Sequence, residues 1–144
     1  MKLALIKTAA VSIALIAAAG SASACNLATA NQWGWGNGAG VTQLGNCNNT
    51  AVSQGGWGNQ AIGYTDGDFN TTAIGQEGAF NNAYSQQTGF ANANGIAQFG
   101  VGNDASVVSD GAFNSGAVIQ VGNGQSGHIS QSGVGNTANI IQAN

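Results

Sequence analysis

Cys25 and Cys47 are the two side chains best suited to forming a covalent bond, and their sequence separation is 22. A disulfide requires Cα atoms within about 7 Å of each other, so this spacing matters only if the chain returns to the same place after that many residues. An oxidising compartment outside the cytoplasm would favour the bond. Two other interpretations stay open: the spacing is accidental, or Cys25 is acylated after a lipoprotein signal, although residue 22 of that signal is Ala rather than Leu.

The other reactive side chains do not form a recurring catalytic or ligand set. His128 has no Cys or acidic neighbours in register, so it does not indicate a metal site. Gly122, Gly124 and Gly127 spell G-x-G-x-x-G, but no predicted helix follows them to hold a dinucleotide phosphate. No nucleophile, base and orienting acid recur together. We therefore predict that the chain is not an enzyme and takes no cofactor or metal.

The first 24 residues have the pattern of a secretory signal peptide. Lys2 and Lys7 precede an apolar run, which ends at the A-x-A site formed by residues 22–24. The run is too short for a membrane span. Both cationic residues of the chain lie in this leader, so residues 25–144 contain the 5 acidic residues and no Lys or Arg. We predict a single domain over residues 25–144 that does not bind nucleic acid, because phosphate contacts need cations.

Glycine falls on every eleventh residue of this domain, ten times without an insertion or deletion. A strict short period is typical of a repeat architecture and argues against a disordered polar tract. The eleven-residue units run from Gln32 to Gln142, and each Gln that begins a unit is position 0. Glycine is then position 2 of every unit. The ten glycines are Gly34, Gly45, Gly56, Gly67, Gly78, Gly89, Gly100, Gly111, Gly122 and Gly133.

Each unit predicts one β-strand and one corner. Positions 5, 7, 9 and 0 carry Asn, a small residue, Val or Ile, and Gln, and alternate side chains of a strand point to the same face. Position 2 continues this step, and positions 3 and 4 form the turn. Glycine at position 2 suits an unusual backbone angle or a close approach at the corner.

Two successive strands can bury their inner faces against each other as one ring of two units, and rings then stack at about 4.8 Å. Identical amides would form buried columns that bond from ring to ring, a known cross-β arrangement. The predicted amide ladders are Gln32, Gln54, Gln76, Gln98, Gln120 and Gln142; Gln43, Gln87 and Gln131; Asn26, Asn48, Asn70, Asn92, Asn114 and Asn136; and Asn37, Asn59, Asn81 and Asn103. The same spacing predicts a disulfide between Cys25 and Cys47 and a stacked pair of Trp35 and Trp57.

The unit Q-x-G-x-x-N-x-A-x-x-x-Q stands intact at residues 32–43 (QWGWGNGAGVTQ), 76–87 (QEGAFNNAYSQQ) and 131–142 (QSGVGNTANIIQ). This resembles the curlin repeat of bacterial curli fibre subunits, over essentially the whole chain after the leader. The resemblance implies a secreted subunit that polymerises into extracellular amyloid fibres in the biofilm matrix of a Gram-negative bacterium. It also implies three kinds of partner: a minor nucleator subunit, an outer-membrane export pore and periplasmic chaperones.

Acidic residues accompany two interruptions of the Gln column. Thr65 and Ser109 replace Gln, and each is followed by Asp-Gly. A duplication remnant would explain this pattern as well as a functional role would. In the functional interpretation, Asp66, Asp68 and Asp110 are gatekeepers that slow premature polymerisation.

The predicted fold is therefore an all-β solenoid with two strands per ring and about five and a half rings. Its terminal units are as regular as its central ones, so both ends resemble open edges that template further pairing. We expect a secreted structural subunit that stacks head-to-tail with copies of itself into a cell-surface fibre. The alternatives are the nucleator of the same fibre, or a monomeric adhesive or ice-binding solenoid.

Overall fold

The structure is a computed structural model that describes residues 12–17 and 25–144, and these residues form twelve strands and no helix. The prediction of an all-β fold is confirmed. The strands are β1 (Ser12–Ala17), β2 (Leu27–Trp35), β3 (Gly38–Leu44), β4 (Asn49–Trp57), β5 (Gln60–Asp68), β6 (Thr71–Ala79), β7 (Asn82–Phe90), β8 (Ala93–Val101), β9 (Asp104–Ala112), β10 (Ser115–Asn123), β11 (Ser126–Val134) and β12 (Thr137–Ala143).

The strands alternate between two parallel six-stranded sheets. The odd sheet has the order β1-β3-β5-β7-β9-β11, and the even sheet has the order β12-β10-β8-β6-β4-β2. From β2 onward each residue pairs with its equivalent two units later, so that Val52 lies beside Ile74 and Gln54 beside Gln76. Two successive strands with their corners make one ring, and β2 to β12 make five and a half rings. The predicted two-strand solenoid is confirmed.

Strand β1 belongs to the predicted leader, whose other residues, 1–11 and 18–24, lie outside the described residues. It pairs in parallel with β3, with Ser12 opposite Gly38 and Ala17 opposite Gln43. In a chain from which the leader has been removed, β3 would therefore be the edge strand at that end of the odd sheet.

The space between the two sheets is filled by columns of identical or similar residues. Val52, Ile74, Ile96 and Val118 form the apolar column of the even sheet, and each is at least nine-tenths buried. The largest fully buried side chains are nevertheless glutamines, among them Gln98. A buried amide is costly unless it is hydrogen-bonded, so this core is stable only if its amides find partners.

The ten glycines at position 2 form the corners, where the next ring approaches closely. All ten have positive φ, between 91° and 132°. A Cβ atom built on Gly56 would collide with the carbonyl oxygen of Gly78 in the next ring. Both the backbone angle and the lack of space therefore require glycine.

Position 4 also takes a positive φ in every unit, which the sequence pattern did not indicate. Five units have glycine at position 4, which was the sequence signal for this backbone angle, and the other five have a different residue. The glycines are Gly36, Gly58, Gly102, Gly124 and Gly135. The other five have φ values between 52° and 60°, and they are Cys47, Phe69, Phe80, Ala91 and Phe113. The left-handed conformation costs about 1–2 kcal/mol in a non-glycine residue, and three of the five are exposed phenylalanines.

Candidate assembly interface

Six glutamines of the even sheet form an unbroken hydrogen-bonded ladder along the whole solenoid. The Nε2 group of each donates to the Oε1 atom of the next, from Gln32 to Gln142, over 2.5–2.9 Å. Nε2 also donates to a backbone carbonyl across the ring, as Gln98 does to Asn82 at 2.9 Å. Every amide donates toward the C-terminal end, so the ladder has a direction.

The asparagines at position 5 bond both to one another, as the predicted ladders require, and to the backbone of neighbouring corners, which was not predicted. Oδ1 of Asn48 accepts the backbone N–H of Asn70 at 3.0 Å, one ring further on. Nδ2 of Asn48 donates to the carbonyls of Leu44 and Gly67, at 2.9 and 2.7 Å. Four direct amide bonds join asparagines of successive rings over 3.0–3.2 Å, among them Asn70 Nδ2 to Asn48 Oδ1 at 3.2 Å. The columns therefore fasten each corner to the next.

The glutamines of the odd sheet do not bond to one another, because other residues separate them. Thr65 lies between Gln43 and Gln87, and Ser109 lies between Gln87 and Gln131. Gln43 instead donates to Thr50 Oγ1 across the core at 3.0 Å. The predicted amide ladder of Gln43, Gln87 and Gln131 is thus replaced by hydrogen bonds between the two sheets.

Three buried polar residues on the even sheet supply these cross-core bonds. Thr50, Thr72 and Asn94 occupy position 7 of β4, β6 and β8, where the unit otherwise has a small residue. Thr72 Oγ1 donates to Gln87 Oε1 at 2.8 Å, and Asn94 Oδ1 accepts from Ser109 Oγ at 2.7 Å. The polar residues at position 7 were the sequence signal for these bonds. Thr50 and Thr72 bond to the two glutamines on either side of Thr65, and Asn94 bonds to Ser109.

One of the two residues that interrupt the glutamine column of the odd sheet lacks a hydrogen bond across the core. Thr65 is 1% exposed and its hydroxyl has no hydrogen-bond partner. We expect Thr65→Val to stabilise the solenoid by about 1 kcal/mol, because valine has nearly the same shape and removes an unpaired buried hydroxyl. The urea midpoint of the β-sheet circular-dichroism signal, recorded before fibres appear, measures this change.

Thr72→Val is the matched control for that prediction. Thr72 is equally buried, but its hydroxyl is bonded to Gln87, so its loss should destabilise the fold by about 1–2 kcal/mol. Equal effects of the two substitutions, or a destabilising Thr65→Val, would contradict this description of the core.

Cys25 and Cys47 form a disulfide between the first two rings, with their Cα atoms 4.2 Å apart. A bonded Cys25 has no free thiol to acylate. Trp35 and Trp57 lie at the opposite corner with ring centroids 6.4 Å apart. Both pairs that the sequence placed one full ring apart are therefore neighbours in the structure.

The three proposed gatekeepers have different surroundings. Asp66 and Asp110 are exposed in one column of the odd sheet, with Thr88 between them, so the two carboxylates are not adjacent. Asp68 is less exposed, and its Oδ1 accepts the backbone N–H of Asn46 at 2.8 Å. Asp68 thus also stabilises a corner, which the sequence did not indicate.

Both ends of the solenoid carry a buried acceptor without a donor. Oε1 of Gln32 lies at the N-terminal end of the even ladder, and Oε1 of Gln125 lies at the C-terminal end of the odd sheet. Gln125 replaces Asn at position 5, and in every preceding ring that position accepts a backbone N–H from the following ring. The unpaired atoms are thus where a further ring would supply their partners.

The outer surface has one further feature, an aromatic corner formed by Phe69, Phe90 and Phe113. Their ring centroids are 5.5 and 5.6 Å apart in edge-to-face contact. Between 43% and 60% of each side chain is exposed. Two of the three residues hold a strained positive φ, so glycine would fit the corner at lower cost.

Residues 12–17 and 25–144 contain neither a helix long and apolar enough to cross a membrane nor a group of three metal-ligating side chains. No family model matches the chain, and no curated protein matches it. The described residues form a directional ladder of amides that is hydrogen-bonded along its length, with an unpaired buried acceptor near each end of the solenoid.

Proposed function

We propose that residues 25–144 are a secreted structural subunit that stacks head-to-tail with identical copies into an extracellular curli-type amyloid fibre for biofilm matrix and surface adhesion. The unpaired buried acceptors at the two ends carry this proposal. Leaving a buried acceptor unsatisfied costs about 1–3 kcal/mol, and adding another copy would remove that cost at each junction. The unpaired backbone of the edge strands favours the same reaction.

Incubation of the purified mature chain at neutral pH tests this function. We expect thioflavin-positive fibres with a cross-β spacing of about 4.8 Å, and growth without a lag when preformed fibre ends are added. A chain that remains monomeric for days, with or without those ends, would contradict the proposal. A chain that starts fibres of another subunit but does not extend them would instead be the nucleator.

A monomeric adhesive role is the second candidate, and the exposed aromatic corner favours it. Phe69, Phe90 and Phe113 form a ridge that no described residue covers. In this role, substituting the three with Ser would abolish binding to a surface while the chain stayed monomeric. In the fibre role, the same variant would still polymerise.

The gatekeeper hypothesis predicts a change in rate. Replacing Asp66, Asp68 and Asp110 with Asn removes three of the 5 acidic residues, and residues 25–144 contain no Lys or Arg. Because the variant chains repel one another less, the lag before thioflavin fluorescence rises should shorten several-fold. Asn at residue 68 retains an oxygen that can accept the Asn46 N–H. The single change Glu77→Asn is the control for loss of charge alone. An unchanged lag in the triple variant would count against gatekeeping.

A further inference from the structure

We infer that successive subunits of the fibre are related by a half-turn about the fibre axis. This rests on the proposed function, in which residues 25–144 are the unit that stacks head-to-tail, and follows from the number of strands in that unit. Residues 25–144 contain eleven strands, which is odd. In this unit the even sheet ends with β12 and the odd sheet ends with β11, so the even sheet extends one strand further along the axis.

An incoming subunit can extend the odd sheet beside β11 only with its first strand. Its β2 would then pair with β11, and its β3 would pair with β12. In the incoming molecule, β2 belongs to the even sheet, so that molecule must be rotated by half a turn. Both sheets then continue across the junction without a gap.

The half-turn also satisfies both unpaired acceptors. Nε2 of Gln131 donates one hydrogen to the Ser115 carbonyl at 3.0 Å, and a primary amide has two. In the rotated stack its second hydrogen faces Gln32 Oε1 of the incoming chain, as in every ring of the even ladder. The N–H of the incoming Asn26 meets Gln125 Oε1.

An unrotated stack satisfies only one of them. It would place β2 of the incoming chain on β12, so that Gln142 would donate to Gln32. Strand β11 would then pair with β9 but with no strand of the incoming chain, and Gln125 Oε1 would stay unpaired. The edge of β3 would also remain open, although the structure shows that this edge accepts a parallel strand, since β1 pairs with it from Gly38 to Gln43.

The rotation has a visible consequence, because the two outer faces differ. The odd sheet presents Ile62 and Tyr84, whereas the even sheet presents Ala51, Ala73 and Ala117 at the equivalent positions. Each side of the fibre would therefore alternate between these two different faces. One subunit spans about 26 Å, so the axial repeat is about 53 Å.

Cross-linking between different variants tests the arrangement. Thr29, His128 and Asn139 are exposed and share position 8 on β2, β11 and β12. Fibres grown from an equal mixture of Thr29→Cys and His128→Cys chains are treated with a short bis-maleimide, which leaves the native disulfide intact. The half-turn puts these two residues about 5 Å apart across each junction.

The comparison mixture contains Thr29→Cys and Asn139→Cys, which are adjacent only in an unrotated stack. We expect a several-fold excess of cross-linked dimer in the first mixture. An excess in the second, or equal yields, would overturn the half-turn while leaving the fibre intact. Unmodified fibres should show a layer line at about 53 Å, and its absence also counts against the rotation. Failure to form fibres at all would instead contradict the proposed function.

Discussion

Gly78→Ala should destabilise the solenoid by about 3 kcal/mol or more, the largest effect expected of a single methyl group. Gly78 has a φ of 118°, and a Cβ atom there would collide with the carbonyl oxygen of Gly100 in the next ring. A sparsely populated backbone angle costs about 1–3 kcal/mol, and the collision adds to it because backbone cannot rotate away. The urea midpoint before fibre formation measures the loss.

Gly75→Ala is the control, three residues earlier on the same strand. Gly75 has a φ outside the left-handed region, and nothing lies within 4 Å of an added Cβ. Alanine there should be neutral or slightly stabilising, since it reduces the freedom of the unfolded chain. Similar losses at the two positions would mean that the corners do not have the geometry described.

Gln98→Leu should cost about 3 kcal/mol, although it makes the core more apolar. Gln98 is fully buried, accepts from Gln76, and donates to Gln120 and to the Asn82 carbonyl. Leucine leaves those groups without partners, and each unpaired buried group costs about 1–3 kcal/mol, partly offset by burial of the leucine. The same denaturation experiment measures this change.

Gln60→Leu is the matched control, because it makes the same exchange at an exposed position on another strand. It should change the midpoint little. If Gln98→Leu were as well tolerated as Gln60→Leu, the glutamine ladder would not contribute to stability. The case for an assembly that extends that ladder would weaken accordingly.

The sequence predicted the fold in detail because its period is strict. The glycine at every eleventh residue marked the corners, and the two-residue step from Asn to Val or Ile to Gln marked the inner face of each strand. Doubling the period gave the ring and placed Cys25 beside Cys47. Such a repeat is predictable because each ring meets only copies of itself.

The remaining features depend on contacts across the core, which a period does not encode. Thr72 and Asn94 bond to the opposite sheet, so their role appears only when odd and even strands are seen together. The positive φ of Phe69 and Phe113 is likewise set by the corner, not by the propensity of phenylalanine. At position 5 the sequence predicted the bonds between stacked asparagines, but not the bonds that the same side chains make to the corner backbone.

The mass per unit length of the fibre tests the central claim most directly. If intact solenoids stack end to end, a single filament contains one chain per about 26 Å, which is five and a half strand spacings. Scanning transmission electron microscopy of unstained fibres measures this quantity. A value of one chain per about 4.8 Å would mean that each molecule lies flat in one layer, and it would contradict the account.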